Sequence, residues 1–177
     1  MLRKLLLACV LLAMPGLASA QWIGGVGYFD LTADIDGVEV SPDIYGLNLG
    51  YKFDLGLRDF TITPSMSLYG DIDDDIVDVG SPTPTRVRVE TKFGMGFNAR
   101  FQWEGDDRVF FFIAPSLSRF DIDGREGSVK INDDDWDVGI GAGIGYQINN
   151  QFGVELTYDE FSDSDILGLS LRYTFPR

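Results

Sequence analysis

The chain has 177 residues, no histidine, and 28 Asp and Glu against 14 Lys and Arg, for a formal net charge of −14. So acidic a surface repels nucleic acid, whose binding rests on Lys and Arg neutralising phosphates, and the length suits one domain. After residue 20 no stretch is long and apolar enough for a transmembrane helix, so any crossing of a membrane has to be made with strands.

Arg3 and Lys4 precede an apolar run over residues 5–12, and the segment closes at Ala18-Ser19-Ala20. This order of charge, apolar core and small residues is that of a cleaved secretory signal peptide. The run is broken by Pro15 and Gly16 and is shorter than the roughly 20 residues of a spanning helix. Residues 1–20 are therefore expected to be removed, leaving 21–177 as the folded domain. Cys9, the single cysteine, leaves with them; Leu6-Leu7-Ala8-Cys9 resembles a lipoprotein processing box, but the signal core continues past it.

Residues 22–31 are strand-like but partly apolar on both faces, so their register stays open; an acidic connection follows over 32–43. Tyr45, Leu47, Leu49, Tyr51 and Phe53 then oppose Gly46, Asn48, Gly50 and Lys52, and a short turn occupies 54–59. Phe60, Ile62, Pro64, Met66 and Leu68 oppose Thr61, Thr63, Ser65 and Ser67, before a second long connection over 71–85. The clearest alternation runs from Val87 to Trp103. Val87, Val89, Thr91, Phe93, Met95, Phe97, Ala99, Phe101 and Trp103 lie on one face, with Arg86, Arg88, Glu90, Lys92, Gly94, Gly96, Asn98, Arg100 and Gln102 on the other. A period of two over such a length is that of a strand.

After a short turn over 104–108, residues 109–120 are again apolar on both faces in part, and whether Phe110 and Phe112 or Phe111 and Ile113 face outward stays open. A third long connection covers 121–135. Trp136, Val138, Ile140, Ala142, Ile144, Tyr146 and Ile148 oppose Asp137, Gly139, Gly141, Gly143, Gly145 and Gln147. Beyond a turn at 149–151, Phe152, Val154, Leu156 and Tyr158 oppose Gly153, Glu155, Thr157 and Asp159. A fourth connection at 162–165 leads to Leu167, Leu169, Leu171, Tyr173 and Phe175, opposing Gly168, Ser170, Arg172 and Thr174.

Eight alternating strands with long connections on one side and short turns on the other predict an all-β fold, an eight-stranded antiparallel up-and-down transmembrane β-barrel. A secreted lipocalin-like barrel would alternate too, with its apolar face inward. Three features favour lipid outside. A glycine ladder on the polar face weakens a solvated strand but makes room inside a narrow barrel, here for Arg86, Arg88 and Arg100. Aromatic residues gather at strand ends, where membrane girdles sit. Strand lengths of about 9–11 residues match a tilted bilayer span.

The polar faces would then carry a lumenal network of Lys52, Arg86, Arg88, Glu90, Lys92, Arg100, Glu155, Asp159 and Arg172. Unpaired buried charge costs several kcal/mol, so these groups are expected to pair and to close the lumen.

The Ala-Ser-Ala ending of the signal, the strand count, the loop asymmetry and the last strand, Leu167-x-Leu169-x-Leu171-x-Tyr173-x-Phe175, together resemble the OmpA/OmpX-type small barrels of the porin-like outer-membrane β-barrel family. The resemblance spans residues 21–177. It implies the outer membrane of a Gram-negative bacterium, contact with its lipid and lipopolysaccharide, and delivery by the barrel-assembly machinery through the C-terminal strand. Pro176 and Arg177 follow Phe175, a departure from the terminal aromatic of that signal. An oligomeric state is not implied.

Catalysis is not expected, because the residue type best suited to general-base work near neutrality is absent. The expected role is a non-enzymatic surface and membrane-integrity protein; the alternative is a narrow pore or small-solute transporter. The long connections hold most of the acids. Asp71, Asp73, Asp74 and Asp75, with Asp133, Asp134 and Asp135, are the groups through which calcium or magnesium could bind, as oxygen-rich clusters suit those ions. Asp34-Ile-Asp36-Gly37 and Asp121-Ile-Asp123-Gly124 are fragments of a calcium loop without its later ligands. No other cofactor is expected.

Overall fold

The computed structural model describes residues 21–176 apart from 36, 37, 58, 74, 80–84, 106, 107, 127, 128 and 134; at 35, 38, 39, 73, 75, 77–79, 85, 89–91, 123–126 and 129–133 it describes backbone alone. Within these limits the chain forms β1 (Gln21–Ile35), β2 (Val38–Val40), β3 (Asp43–Asp54), β4 (Phe60–Asp73), β5 (Asp75–Val79), β6 (Thr85–Glu104), β7 (Val109–Glu126), β8 (Val129–Asp133), β9 (Trp136–Gln147), β10 (Phe152–Glu160) and β11 (Ser164–Thr174). Eight of them pair antiparallel in the order β6-β4-β3-β1-β11-β10-β9-β7, and β7 returns to β6 to close the barrel. Closure leaves no backbone edge at the depth of the hydrocarbon, where an unpaired N–H or C=O costs several kcal/mol.

The outer face is apolar: Val138 is 71% exposed, Leu169 61% and Ile140 59%. These are lipid-facing positions, since a patch of this extent is not sustained in water. An aromatic belt closes the short-turn end. Trp22 meets Tyr51 at 4.9 Å between ring centroids, Trp103 meets Phe111 at 6.0 Å, and Tyr173 meets Phe175 at 4.9 Å. Phe175 N–H donates to the Trp22 carbonyl at 3.0 Å, so the described ends of the barrel meet at this same rim.

The two open registers are settled by what fills the interior. In β1, Ile23, Leu31 and Ala33 are buried while Trp22, Val26 and Tyr28 face out. In β7, Phe110, Phe112, Ala114, Phe120 and Ile122 are buried, and Phe111, Ile113 and Leu117 face out.

Three of the long connections are largely strand. β1, β4 and β7 run on beyond the lipid-facing band, and β2, β5 and β8 pair with β1, β6 and β7 there, replacing the neighbours they have at membrane depth. The reason is an apolar cluster of Leu31, Ala33, Val40, Ile44, Val87, Phe120, Ile122, Phe161 and Ile166, with Phe29 and Tyr69 against it, inside this collar. Above the bilayer the outside is water, so apolar side chains turn inward and polar ones outward, the reverse of the arrangement below.

That reversal corrects the reading of β6. Its sequence alternates in one unbroken phase, yet apolar residues must face out beside lipid and in above it. A β-bulge between Thr91 and Phe93 against β7 supplies the one-residue slip, which exchanges the two faces of a strand. Phe93 and Phe97 therefore face lipid, whereas Val87 is fully buried and Arg86, Arg88 and Lys92 are exposed outside. None of these three cations points into the lumen. The Glu90 side chain lies outside the described residues.

Candidate functional site: the lumen and its collar

Inside the barrel the remaining charged groups form layers. Nearest the short-turn rim, Lys52 of β3 pairs with Glu104 of β6, and Gln102 Nε2 donates to Glu104 Oε1 at 3.0 Å. Gln102 Oε1 in turn accepts from Arg172 Nη1 at 2.9 Å, while Arg172 Nη2 donates to Gln147 Oε1 at 2.9 Å. Glu155 of β10 lies between two guanidinium groups, with Oε2 2.7 Å from Arg100 Nη1 and Oε1 3.1 Å from Arg172 Nη1. Of these three, Glu155 and Arg172 are more than nine-tenths buried. Together they hold charge at membrane depth as a pair-and-bridge arrangement, the condition under which buried ions are tolerated.

Phenylalanine completes the layer. The Arg100 guanidinium carbon lies 3.6 Å from the Phe112 ring centroid, and that of Arg172 lies 4.3 Å from the centroid of Phe110. Two cations stacked on ring faces gain quadrupole attraction where water is scarce.

The glycine ladder of β9 is what admits those rings. A Cβ at Gly143 would collide with Phe112, at Gly145 with Phe110, at Gly141 with the Asp159 carboxylate, and at Gly139 with Phe161. The room is taken directly by aromatic rings and one carboxylate, a correction to the expectation that it serves Arg86, Arg88 and Arg100; Arg100 benefits through Phe112.

Above this layer is a cavity of about 100 Å³, lined by Asn48, Asn98, Arg100, Glu155, Thr157 and Asp159 among others. It has room for about three water molecules at liquid density. Ser65 Oγ and Asn98 Oδ1, 2.6 Å apart, and Asn48 Nδ2 donating to Ser67 Oγ at 3.0 Å brace its wall. Tyr69 then stands between Phe29, at 5.5 Å, and Phe120, at 5.2 Å, and the apolar cluster of the collar begins.

The turn joining β10 to β11 folds over the top. Phe161 N–H donates to the Ser164 carbonyl at 2.8 Å, and Phe161 is buried in the cluster. Asp137 pins the turn, its two oxygens accepting from Ser162 N–H and Ser162 Oγ, each at 2.9 Å. Replacing Asp137 with alanine removes both bonds, at about 1 kcal/mol each. The Ser162 amide of that variant should exchange its hydrogen at least about tenfold faster, with the β9 amides over 141–147 unchanged as the internal control, since the nearer Val138 N–H also donates to Asp137.

Of the residues expected in the lumen, Lys52, Arg100, Glu155, Asp159 and Arg172 face it, whereas Arg86, Arg88 and Lys92 do not. Gln102 and Gln147, which the alternation puts on the polar faces, Phe110 and Phe112, whose register it leaves open, and Glu104 belong to the same assembly although the expected network does not include them. Glu104 reads as the first residue of a turn, and the two phenylalanines lie on a strand with apolar residues on both faces. Asp71 is partly buried and Asp135 exposed. The side chains of Asp73, Asp74, Asp75, Asp133 and Asp134 lie outside the described residues. Among the described residues no three Asp, Glu, His or Cys side chains are grouped as metal ligands.

Residues 5–175 match the family described as outer membrane protein beta-barrel domain. Among solved structures, the attachment invasion locus protein Ail of Yersinia pestis superposes with a TM-score of 0.59 at 14% identity, over 88% of this chain and 99% of that one. Neisserial surface protein A gives 0.57 at 12%, over 89% and 99%. The N-terminal β-barrel domain of Pseudomonas aeruginosa OprF gives 0.52 at 15%, over 89% and 100%. At such identities the likeness is one of fold. Comparison with curated protein sequences finds no match.

Proposed function

The chain belongs to the outer membrane protein β-barrel domain family and resides in the outer membrane of a Gram-negative bacterium, and from that premise we propose that it is a sealed, non-enzymatic anchor presenting a charged collar to the outside. The observation that carries this reading is the filling of the lumen by side chains at two levels. The Arg100–Glu155–Arg172 layer with Phe110 and Phe112 closes it from the short-turn side, and the cluster around Leu31, Ile44, Val87 and Phe161 from the collar side. Between them is a cavity of only about 100 Å³. An eight-stranded barrel filled by side chains leaves no continuous aqueous path.

In this reading residues 1–20 are removed on export, and the C-terminal strand ending at Phe175 engages the assembly machinery. The collar makes the contacts with lipopolysaccharide, cations or other cells. Its acids, such as Asp30, Asp34, Asp163 and Glu160, are exposed. With no histidine in the chain, the buried Glu155 serves as the partner of Arg100 and Arg172 and not as a base.

Planar-bilayer recording of the purified protein tests the reading. We expect no steady ohmic conductance above the lipid baseline; a reproducible open channel would replace the anchor with a narrow pore or small-solute transporter.

A further inference from the structure

The three short turns differ in what they show to solvent. The β6–β7 turn reads Glu104-Gly105-Asp106-Asp107-Arg108, and the β9–β10 turn follows Ile148 with Asn149, Asn150 and Gln151. The β3–β4 turn instead carries Leu55, 45% exposed, and Leu57, which at 61% is as exposed as the lipid-facing Leu169. Leu55 follows Phe53 at the two-residue spacing of the outward series of β3. The rings above it form an unbroken run, Trp22 meeting Tyr51 at 4.9 Å and Tyr51 meeting Phe53 at 5.0 Å between centroids. On the β4 side Phe60 stands opposite Trp103, which stacks on Phe111.

The turn is held in one shape by its own hydrogen bonds. Gly56 takes the left-handed conformation, at φ +69°, and its N–H donates to Asp54 Oδ1 at 2.9 Å. Phe60 N–H donates to the Leu57 carbonyl at 3.2 Å, and Glu104 N–H to the Asp59 carbonyl at 2.8 Å. Backbone groups paired in this way lose little on leaving bulk water. The two leucines, by contrast, enlarge an apolar surface already continuous with the aromatic belt, and surface of that kind is covered by something other than water.

We propose that the β3–β4 turn is an interfacial anchor, with Leu55 and Leu57 among the acyl chains of inner-leaflet phospholipid while the other two short turns stand in the periplasm. Continuity decides the occupant. Phospholipid already covers the belt rings to which the turn is joined, so the same acyl layer reaches both leucines without a second partner. Belts mark the headgroup level, so the membrane boundary lies lower along β3 and β4 than at the β9–β10 turn on the opposite wall. The inference rests on the membrane orientation above and not on the filling of the lumen.

The test places a nitrobenzofurazan fluorophore on single cysteines, Leu55→Cys, Leu57→Cys and, for comparison, Asn150→Cys, each with Cys9→Ser, in nanodiscs of phosphatidylethanolamine and phosphatidylglycerol. Quenching by aqueous iodide at 55 and 57 should be about fivefold or more below that at 150, since withdrawing the remaining leucine from water favours the inserted turn by about that factor. Nitroxide carried near the glycerol end of the acyl chains should quench 55 and 57 and spare 150. Because the fluorophore is itself apolar, Leu55→Asn is added to the Leu57→Cys chain and should return iodide quenching toward the value at 150. Heat-modifiable gel migration verifies the folding of each variant. Equal iodide quenching at all three positions, nitroxide quenching at 150 as strong as at 57, or no response to Leu55→Asn would each overturn the assignment. Protection of position 57 that arises only when periplasmic extract is added would also overturn it, by putting a soluble protein in the place of lipid. A steady conductance from the same protein would end the sealed reading and leave this one standing.

Discussion

Glu155→Ala should destabilise the barrel by about 3–5 kcal/mol, the cost of leaving buried charge without its partner. Both Arg100 and Arg172 lose their carboxylate, at 2.7 and 3.1 Å respectively, and the small cavity that both line offers far less solvation than bulk water. Their remaining contacts are the Phe110 and Phe112 rings and the amides of Gln102 and Gln147, which orient a guanidinium without neutralising it. Urea titration in lipid vesicles, followed by tryptophan fluorescence, measures the loss. The triple replacement Arg100→Met, Glu155→Leu, Arg172→Met removes every charge at once and should cost less than the single change, because a buried ion bridge is often no better than apolar packing. Were the single variant as stable as wild type, the three groups would not form a desolvated unit.

Gly145→Val is expected to be nearly as damaging, at about 3 kcal/mol, or to prevent folding. Its Cβ would occupy the place of the Phe110 ring, and that ring cannot swing away cheaply because Arg172 is stacked on it. Overpacking in a filled interior ordinarily costs about 1–3 kcal/mol, and the collision with a clamped ring puts this position at the upper end. Phe110→Ala in the Gly145→Val background should restore folding, since it vacates the space. A double-mutant cycle gives the coupling; additive effects would mean that the glycine and the ring do not share the site.

Much of the barrel is legible in the sequence, and the parts that are not share one cause. Strands β3, β4, β9, β10 and β11 alternate cleanly because most of their length lies beside lipid, with small or polar residues within. β1 changes rule partway. Tyr28 faces lipid and Phe29, one residue later, faces in, so from there Leu31 and Ala33 become the apolar positions of a strand now surrounded by water. Apolar residues on both faces are the mark of that crossing, and periodicity alone cannot divide them. β7 is opaque for a second reason, because its inner face holds Phe110 and Phe112 as platforms for arginine.

β6 conceals the crossing instead of displaying it. Its pattern of Val87, Val89, Thr91 and Phe93 continues without interruption because the bulge takes up the change of rule. Unbroken alternation thus assigns Arg86, Arg88 and Lys92 to the face of Arg100, while the bulge turns them to the outside. Alternation longer than a bilayer needs was itself the available signal: a strand of 20 residues exceeds the 9–11 of a tilted span, and the surplus had to stand in water. The lumenal pairing of Lys52 was open to sequence reasoning only as far as the inner face. Its partner Glu104 lies at the end of a strand, where loop and strand compositions look alike.

The barrel wall changes its inside-out rule where lipid gives way to water. Site-directed spin labelling along β6 tests it most directly, one cysteine at a time from position 86 to 103, in a chain whose only native cysteine is Cys9. In lipid vesicles, oxygen accessibility should peak at odd positions from 93 to 103. Accessibility to a water-soluble relaxant should peak at 86, 88 and 92, with the phase reversing between 91 and 93. A single uninterrupted phase from 86 to 103, or water access at 95, 97 and 101, would mean that the wall keeps one rule along its whole height.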